Sequence, residues 1–289
     1  MFRILISPAK KMQTSKDSGE CPLPLTTPVF QEQADFLQRY LQTLSFEELH
    51  SMWNCSEKLA SQTYERLFLS RSHASASHTK TDSSADSPSI FSTNPARSAA
   101  PADTAGTAAL LSYEGLQYQY MAPQIFSNTQ WKYVAEHLRI LSGFYGILRP
   151  TDTVRPYRLE MQARFPHPPE HTDFRTVYDF WGDCIAGELS GFRILNLASA
   201  EYSKAVLPWI PKKQVVTVVF GELSNGKIRT KGTLAKMARG ELVRQMAERH
   251  IIDLEEIKKF HILDYCFSEE HSSKETYTFL LDQKAVAQA

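Results

Sequence analysis

From Ser72 to Gly106 the chain has almost nothing to bury. Ser, Ala and Thr make up 21 of these 35 residues, and Ile90 and Phe91 are the only large apolar side chains. Such a stretch cannot offset the entropy lost on ordering it, so it reads as a flexible insertion. A substrate-specific flap is the other reading. Loop closure grows only logarithmically with length, so the two flanks can still share one fold. The expected organisation is a single domain over 1–289 with a low-complexity insertion at 72–106.

The flanks carry enough apolar residues to build that domain. Hydrophobic residues are 42% of the 289 and charged residues 22%, ordinary for a soluble globular chain. Phe2–Ser7 predicts a short strand, stopped by Pro8. Arg193–Leu197 predicts a second and Val215–Phe220 a third, the last rich in β-branched residues. Ser45-Phe46-Glu47-Glu48 has capping-box spacing and opens a short helix through Met52. Asn54 or Ser56 can cap a second helix, running to Leu67. Thr129 starts a helix through Trp131, Val134, Leu138 and Leu141, ending near Gly143. Leu234–Arg249 predicts a longer helix with Leu234, Met237, Leu242 and Met246 roughly on one side. Ile252–Phe260 reads as another helix. Leu263–Leu281 reads as a hairpin turning within 269–273. The expected fold class is α/β, in the sense of mixed α+β, in one compact domain.

Composition excludes several classes of function. Lys plus Arg is 32 and Asp plus Glu is 32, so the chain is not a histone-like polycation, although local basic patches stay open. No run approaches the ~18 apolar residues of a membrane span. Ile4–Ile6 is too short for the core of a signal peptide. The expectation is a cytoplasmic protein with no membrane partner. Cys21, Cys55, Cys184 and Cys266 are scattered without CxxC spacing and are expected to be reduced. GxGxxG, GxxxxGK[ST], HExxH and GxSxG motifs are all absent, and no cofactor is expected. His167 and His171 are four apart beside Glu170, but Pro168 and Pro169 argue against a helix that would face them together. No metal is expected.

Chemistry can reside in five polar clusters. Lys10 follows the first strand, and in open α/β sheets strand ends are where ligands sit. There it can bind phosphate or carboxylate, act as a nucleophile if desolvated, or be an exposed loop lysine. Between Arg139 and Arg164 lie five Arg, including Arg149, Arg155 and Arg158, against Asp152 and Glu160. Arg forks match phosphate or carboxylate, and Tyr157, Arg158 and Glu160 are close enough for a Glu–Arg pair, functional or structural. In Tyr178–Asp183 the aromatics read as core and Asp183 as a helix cap or general base. In Leu195–Lys204 a strand runs into a helix start at Ser199, a cap or an anion site, with Glu201 and Lys204 close behind. A Ser199–Lys204 nucleophile pair is conceivable there. Lys227–Gly240 holds Lys227, Arg229, Lys231, Lys236 and Arg239 and no acid, which suits either a polyanion backbone or a solvated strand edge and helix face.

The segments SPAK, LRILSGFYGILRPTD, RPYRLEM, FWGD, LNLAS-x-EY and AKMARG, in this order, resemble the YaaA peroxide-stress family. The resemblance covers nearly the whole chain except the insertion. It implies a compact α/β domain with a helix-hairpin-helix element and a positively charged cleft. It also implies hydrogen peroxide resistance through lower free iron, and binding of double-stranded DNA; it carries over no catalysed reaction. The matching motif positions are Lys10, Tyr157, Arg158, Glu160, Asp183, Ser199, Glu201, Tyr202, Lys204, Lys236 and Arg239. The helix-hairpin-helix would fall on Ser45–Leu67, where Trp53-Asn54-Cys55-Ser56 lacks the glycines that let hairpin amides touch a phosphate. Glu114 stands before Gly115 where the family prototype carries a Lys.

The expected function is a cytosolic response to hydroperoxide that protects DNA from iron-driven damage, with duplex DNA bound through a basic cleft. The residues assigned to that contact are Lys10, Arg149, Arg155, Arg158, Lys227, Lys236 and Arg239. The alternative is an enzyme acting on a small anionic nucleotide- or nucleobase-like substrate. Its candidate catalytic residues are Lys10, Tyr157, Arg158, Glu160, Asp183, Ser199, Glu201 and Lys204. Buried carboxylates beside Arg and Tyr suit acid–base chemistry, and DNA binding alone does not require them. Glu160, Asp183 and Glu201 are expected to converge with Lys10, Arg158 and Lys204 around one cleft. A structural interaction protein is a third reading, resting only on the long Ser/Ala/Thr segment.

Overall fold

The computed structural model describes residues 1–13, 20–69 and 106–282. Its organising element is a nine-stranded sheet. Five strands at the centre run parallel, in the spatial order Thr276–Leu281, Val215–Ser224, Arg193–Asn196, Phe2–Ile6 and Leu138–Ser142. Counted along the chain from the last of these, the order is 2-1-3-4-5. The first strand therefore sits between two neighbours that the chain reaches in opposite directions, the arrangement that opens a crevice in doubly wound sheets. Antiparallel strands finish the margins: Gly146–Leu148 on one side, Tyr265–Phe267 and then His261–Ile262 on the other. Lys227–Arg229 folds back on the far end of Val215–Ser224.

The central strands are apolar because helices and loops cover both faces. Ile4, Leu5 and Ile6 are fully buried, as are Leu138, Ile140 and Leu141 in the neighbouring strand. That neighbour corrects the sequence reading, which carried the helix from Thr129 on to Gly143. The helix spans Asn128–His137, and the chain then turns straight into the Leu138–Ser142 strand. A strand buried on both faces shows no alternation, so periodicity cannot separate it from a buried helical turn. The helix start also lies earlier than Thr129. Ser127 Oγ accepts from the Gln130 amide at 3.3 Å while Gln130 Oε1 accepts from the Ser127 amide at 2.7 Å, a complete capping box.

Elsewhere the elements follow the sequence with small shifts. The Ser45 capping box forms at the head of the Phe46–Trp53 helix. A second helix, Glu57–Leu69, follows after a three-residue connection in which Asn54 is left-handed, with φ 43°. Gly232–Arg249 is the longest helix among the described residues. Leu254–Lys259 is a 3-10 helix, tighter than the α-helix expected there, and Asp253 caps it. The C-terminal hairpin forms between Tyr265–Phe267 and Thr276–Leu281. Of the insertion expected at 72–106, all but Gly106 lies outside the described residues.

Two features of this packing position the site. The Gly232–Arg249 helix lies against the short Leu116–Met121 helix, with Ala235, Ala238 and Gly240 buried. Leu116–Met121 in turn abuts the end of the first strand, because Tyr118 Oη donates to the Ser7 carbonyl at 3.0 Å. On the other side Trp181, fully buried, donates its Nε1–H to the Gly143 carbonyl at 2.9 Å. That bond fixes the turn after the Leu138–Ser142 strand.

Candidate active site

Parallel strands bring their carboxyl ends to one edge of the sheet. Ser7, Ser142 and Ser199 follow or close three adjacent strands there. The Ser199 amide donates to Ser7 Oγ at 2.8 Å, and the Ser7 hydroxyl donates to Ser199 Oγ at 3.2 Å. Ser199 caps only the four-residue helix Ala200–Ser203, and its side chain makes no cap bond. Its amide is already taken, so it ties two strands together.

The charged centre stands on the loops beyond these ends. Glu160 Oε1 lies 2.8 Å from Lys10 Nζ and 3.5 Å from Arg158 Nη2. The partners differ in exposure: the side chain of Lys10 is 67% exposed, that of Arg158 10% and that of Glu160 16%. Arg158 is therefore a buried wall of the site and Lys10 an exposed arm at its mouth. Arg158 is anchored by its Nε–H, which donates to the Trp53 carbonyl at 3.3 Å. Glu160 is held from behind by a backbone contact at Gly143. A Cβ at Gly143 would sit 2.5 Å from the Leu159 carbonyl oxygen and 3.0 Å from the Glu160 carbonyl carbon.

Glu201 adds a second carboxylate within the electrostatic reach of this pair. Its Oε1 accepts from the Gln162 amide at 3.3 Å. Burial pushes its carboxyl above the ordinary value of 4.5, and the neighbouring Glu160 adds to that; the Gln162 amide and Lys10 pull the other way. A carboxyl shifted toward neutrality can exchange a proton with a ligand. The same shift predicts a stability effect. Native Glu201 holds its proton to higher pH than the unfolded chain does, so its burden is absent below the unfolded pKa and complete above the native one. Glu201→Gln keeps the acceptor for Gln162 and removes the charge. Thermal unfolding should show Tm raised by about 1–3 °C at pH 7.5, with the gain vanishing near pH 4. A lower Tm at pH 7.5 would contradict it.

The other residues singled out by sequence fall elsewhere. Tyr157 Oη bonds Ser142 Oγ at 2.7 Å and Tyr113 Oη at 2.8 Å, and its ring stacks on Phe144. Burial raises its pKa well above the ordinary value, so Tyr157 shapes the wall and is poorly placed to move protons near neutrality. Tyr202 is likewise buried, and burial raises its pKa. Asp183 is exposed and heads the short helix Cys184–Gly187 without a side-chain cap bond. Lys204 is exposed and places its ammonium 4.9 Å over the Tyr178 ring. Among the described residues, no hydrogen bond or ion pair joins Asp183 or Lys204 to the Lys10–Glu160–Arg158 cluster. Glu114 meets Lys11 at 2.6 Å, which neutralises the acid at that turn.

The basic candidates divide by exposure. Lys227, Arg229, Lys231 and Lys236 are exposed, and of these Lys231 pairs with Glu222 at 2.8 Å. Arg239 is half-buried, its Nε buried without a partner, and burial lowers its pKa. Arg149 is half-buried and Arg155 exposed.

Sequence reasoning missed one wall of the site. A cavity of about 660 Å³ opens beside Glu160, between the Phe46–Trp53 helix and the segment 160–166. Glu47, Glu48 and Trp53 line it from the helix, Glu160, Gln162 and Arg164 from the segment. Trp53 is 2% exposed, and its indole Nε1–H is buried with no hydrogen-bond partner. The only sequence signal was a Trp at the end of an amphipathic helix, which reads as core.

Comparison with known proteins adds the family. A family model described as peroxide stress protein YaaA matches residues 2–271. The chain is 43% identical to a UPF0246 protein of Desulfitobacterium hafniense (strain Y51), over 99% of this chain and 100% of that one. It is 41% identical to a UPF0246 protein of Lachnoclostridium phytofermentans, over 99% of this chain and 98% of that one. A UPF0246 protein of Lactiplantibacillus plantarum is 38% identical over 96% and 99% of the two chains. No helix among the described residues is long and apolar enough to cross a membrane.

Proposed function

Because this chain belongs to the peroxide stress protein YaaA family, we propose that it serves the response to hydroperoxide as a cytoplasmic enzyme acting on a nucleotide-like unit. The unit belongs to DNA or its precursors, and the reaction limits oxidative damage to DNA. Any lowering of free iron is downstream in this reading. The observation that carries it is the Glu160 carboxylate held between Lys10 and Arg158, with Glu201 close by and shifted toward neutrality. A protein that only grips a DNA backbone has no need to bury carboxylates beside its cations. In the proposed reaction Lys10 swings from Glu160 to an anionic group of the substrate. Glu160 then orients a donor on the substrate, and Glu201 gives or takes the proton.

The test is rescue of a peroxide-sensitive host that lacks its own copy. Lys10→Ala removes an ion pair that is exposed at the Lys10 end only, worth on the order of 1 kcal/mol, and should lower Tm by no more than a few degrees. Glu160→Gln keeps an acceptor oxygen for Arg158 and should lower Tm by no more than a few degrees. Both folded variants should fail to rescue. Full rescue by both would remove the site from the function.

A second reading, contact with duplex DNA, is favoured by the exposed cations Lys227, Arg229 and Lys236, which make no ion pair among the described residues. Such contact is sequence-blind and salt-dependent, with a log–log slope of about 0.9 per phosphate neutralised. Replacing all three with Ala should reduce the slope of duplex binding by about 2 to 3. An unchanged slope would move the DNA surface elsewhere or remove it.

A further inference from the structure

Arg239 carries a charge that the fold leaves unmatched. It stands on the buried stripe of the Gly232–Arg249 helix: Ala235 one turn before it, and Leu242 and Val243 one turn after, are all covered. Its Nε is sealed without a partner, while the two terminal nitrogens are not sealed and make no hydrogen bond or ion pair among the described residues. Burial is the single influence on its pKa, which it lowers, so no carboxylate stands near enough to offset it. The acids of this helix and of the Val215–Ser224 strand are committed elsewhere. Glu241 and Glu248 hold Arg244 at 2.8 and 2.9 Å, and Glu222 pairs with Lys231 at 2.8 Å. Opposite Gly240 the facing helix presents Gln117, which brings no charge. A guanidinium keeps its proton at any physiological pH, so it cannot escape burial by becoming neutral as a lysine can. An arginine in this position is short of an anion.

The helix begins at the edge of the sheet where the candidate site lies. The chain reaches it from Lys227–Arg229, which pairs with the carboxyl end of Val215–Ser224. Long side chains on a helix lean back toward its N-terminus, and the small Ala235 leaves room for the Arg239 stem. The lean carries the guanidinium toward that edge, where Lys236, exposed and three residues earlier, adds a second positive charge. The Leu116–Met121 helix links this seam to the loop of Lys10. It meets Gly240 through Gln117, and a Cβ on Gly115 just before it would lie 3.1 Å from that of Ala9.

We infer that Arg239, with Lys236 at its rim, binds a terminal phosphate, the monoester group of a small phosphorylated ligand. Two adjacent cations suit the nearly two negative charges that such a group carries near neutral pH, and the guanidinium fork matches its oxygens pairwise. A diester within a nucleic-acid strand has a single charge and two flanking arms, which a half-buried guanidinium meets less well. The inference goes beyond the reaction proposed at Glu160 and does not depend on it.

Thermal unfolding of the full chain at about pH 7.5 reads the binding as stabilisation by ligand. Methyl phosphate, a monoester, at about 10 mM should raise Tm by about 2–5 °C over sodium chloride of equal ionic strength. Dimethyl phosphate, a diester, should raise it by less than about 1 °C. Arg239→Met puts an apolar chain of similar length in place of the charge. In chloride its Tm should equal or exceed that of the unsubstituted protein, because removing an uncompensated buried charge is neutral or stabilising. Methyl phosphate should no longer raise it. Lys236→Ala, at an exposed position, should weaken the binding about threefold, and Lys10→Ala should keep the full shift. The inference is overturned by the absence of any shift, by equal shifts from the two esters, or by a shift that survives both Arg239→Met and Lys236→Ala. Arg239→Met unfolding well below the unsubstituted protein in chloride overturns it too, since the guanidinium would then be holding the fold. A shift lost in Lys10→Ala and kept in Arg239→Met would place the anion at Lys10 and has the same consequence. Rescue by Lys10→Ala and Glu160→Gln bears on the reaction at Glu160 alone, so the two readings fail separately.

Discussion

Gly240→Ala is expected to destabilise the protein by about 2–4 kcal/mol, in the upper range for overpacking. In an isolated helix the same change would stabilise by up to about 1 kcal/mol, because Ala is the better helix former. The packing outweighs the propensity. A Cβ at Gly240 would lie 2.1 Å from the Gln117 carbonyl oxygen, 2.9 Å from its carbon and 3.0 Å from the Met121 amide nitrogen. All three are backbone atoms of the Leu116–Met121 helix, so no side chain can swing aside. Relief requires the two helices to separate, which would open the buried seam around Ala235 and Ala238 and loosen the support behind Ser7. At a few degrees per kcal/mol for a chain of this size, Tm should fall by about 5–15 °C. Calorimetry showing an unchanged or higher Tm would mean that the helices do not meet as closely as described.

Gly240 also shows where the sequence stopped being legible. In the AKMARG segment it is the last residue of a basic run, and nothing along the chain says that another helix must touch it. The apolar stripe Leu234, Met237, Leu242 and Met246 indicated a helix correctly but the buried face only in part. Leu234 and Met237 are half-buried, while the small residues Ala235, Ala238 and Gly240 are fully covered. Small residues carry little weight in a hydrophobic pattern, and close helix approach selects for them.

The same limit separates the readable elements from the unreadable ones. The Ser45–Glu48 capping box was legible because both partners lie within four residues. The Leu138–Ser142 strand was not, because its conformation is set by pairing with Phe2–Ile6, more than a hundred residues away. At the site, the ordered motifs nominated Lys10, Arg158, Glu160 and Glu201, and these interact. Asp183 and Lys204 were nominated by the same motifs yet face solvent and an aromatic ring. Their roles as helix-start residue and ring-capping cation are local, and local roles mimic catalytic ones in sequence. Trp53, a Trp at a helix end, reads as core and is almost fully buried; that it also borders the cavity follows only from the packing of segment 160–166 against its helix.

Fold and site meet most tightly at Gly143, and Gly143→Ala should damage both. The added Cβ would sit 2.5 Å from the Leu159 carbonyl oxygen and about 3 Å from the Glu160 backbone, so one of the two segments must move. Gly143 cannot retreat freely, because its carbonyl accepts from the fully buried Trp181 indole at 2.9 Å. The segment that yields is therefore Leu159–Glu160, on the side of the cavity. Displacing Glu160 by about 1 Å misaligns its carboxylate against the buried Arg158, which lies 3.5 Å away, and misplacement on that scale can reduce a reaction about a hundredfold. The expected result is a Tm lowered by several degrees together with failure to rescue a peroxide-sensitive host. Growth at a temperature well below the variant's Tm separates the two effects. If lost stability were the whole cause, cool growth would restore rescue; if the position of Glu160 is the cause, rescue stays absent in a fully folded protein. Full rescue with Tm unchanged would show that the Gly143 contact neither holds the turn nor aims the carboxylate.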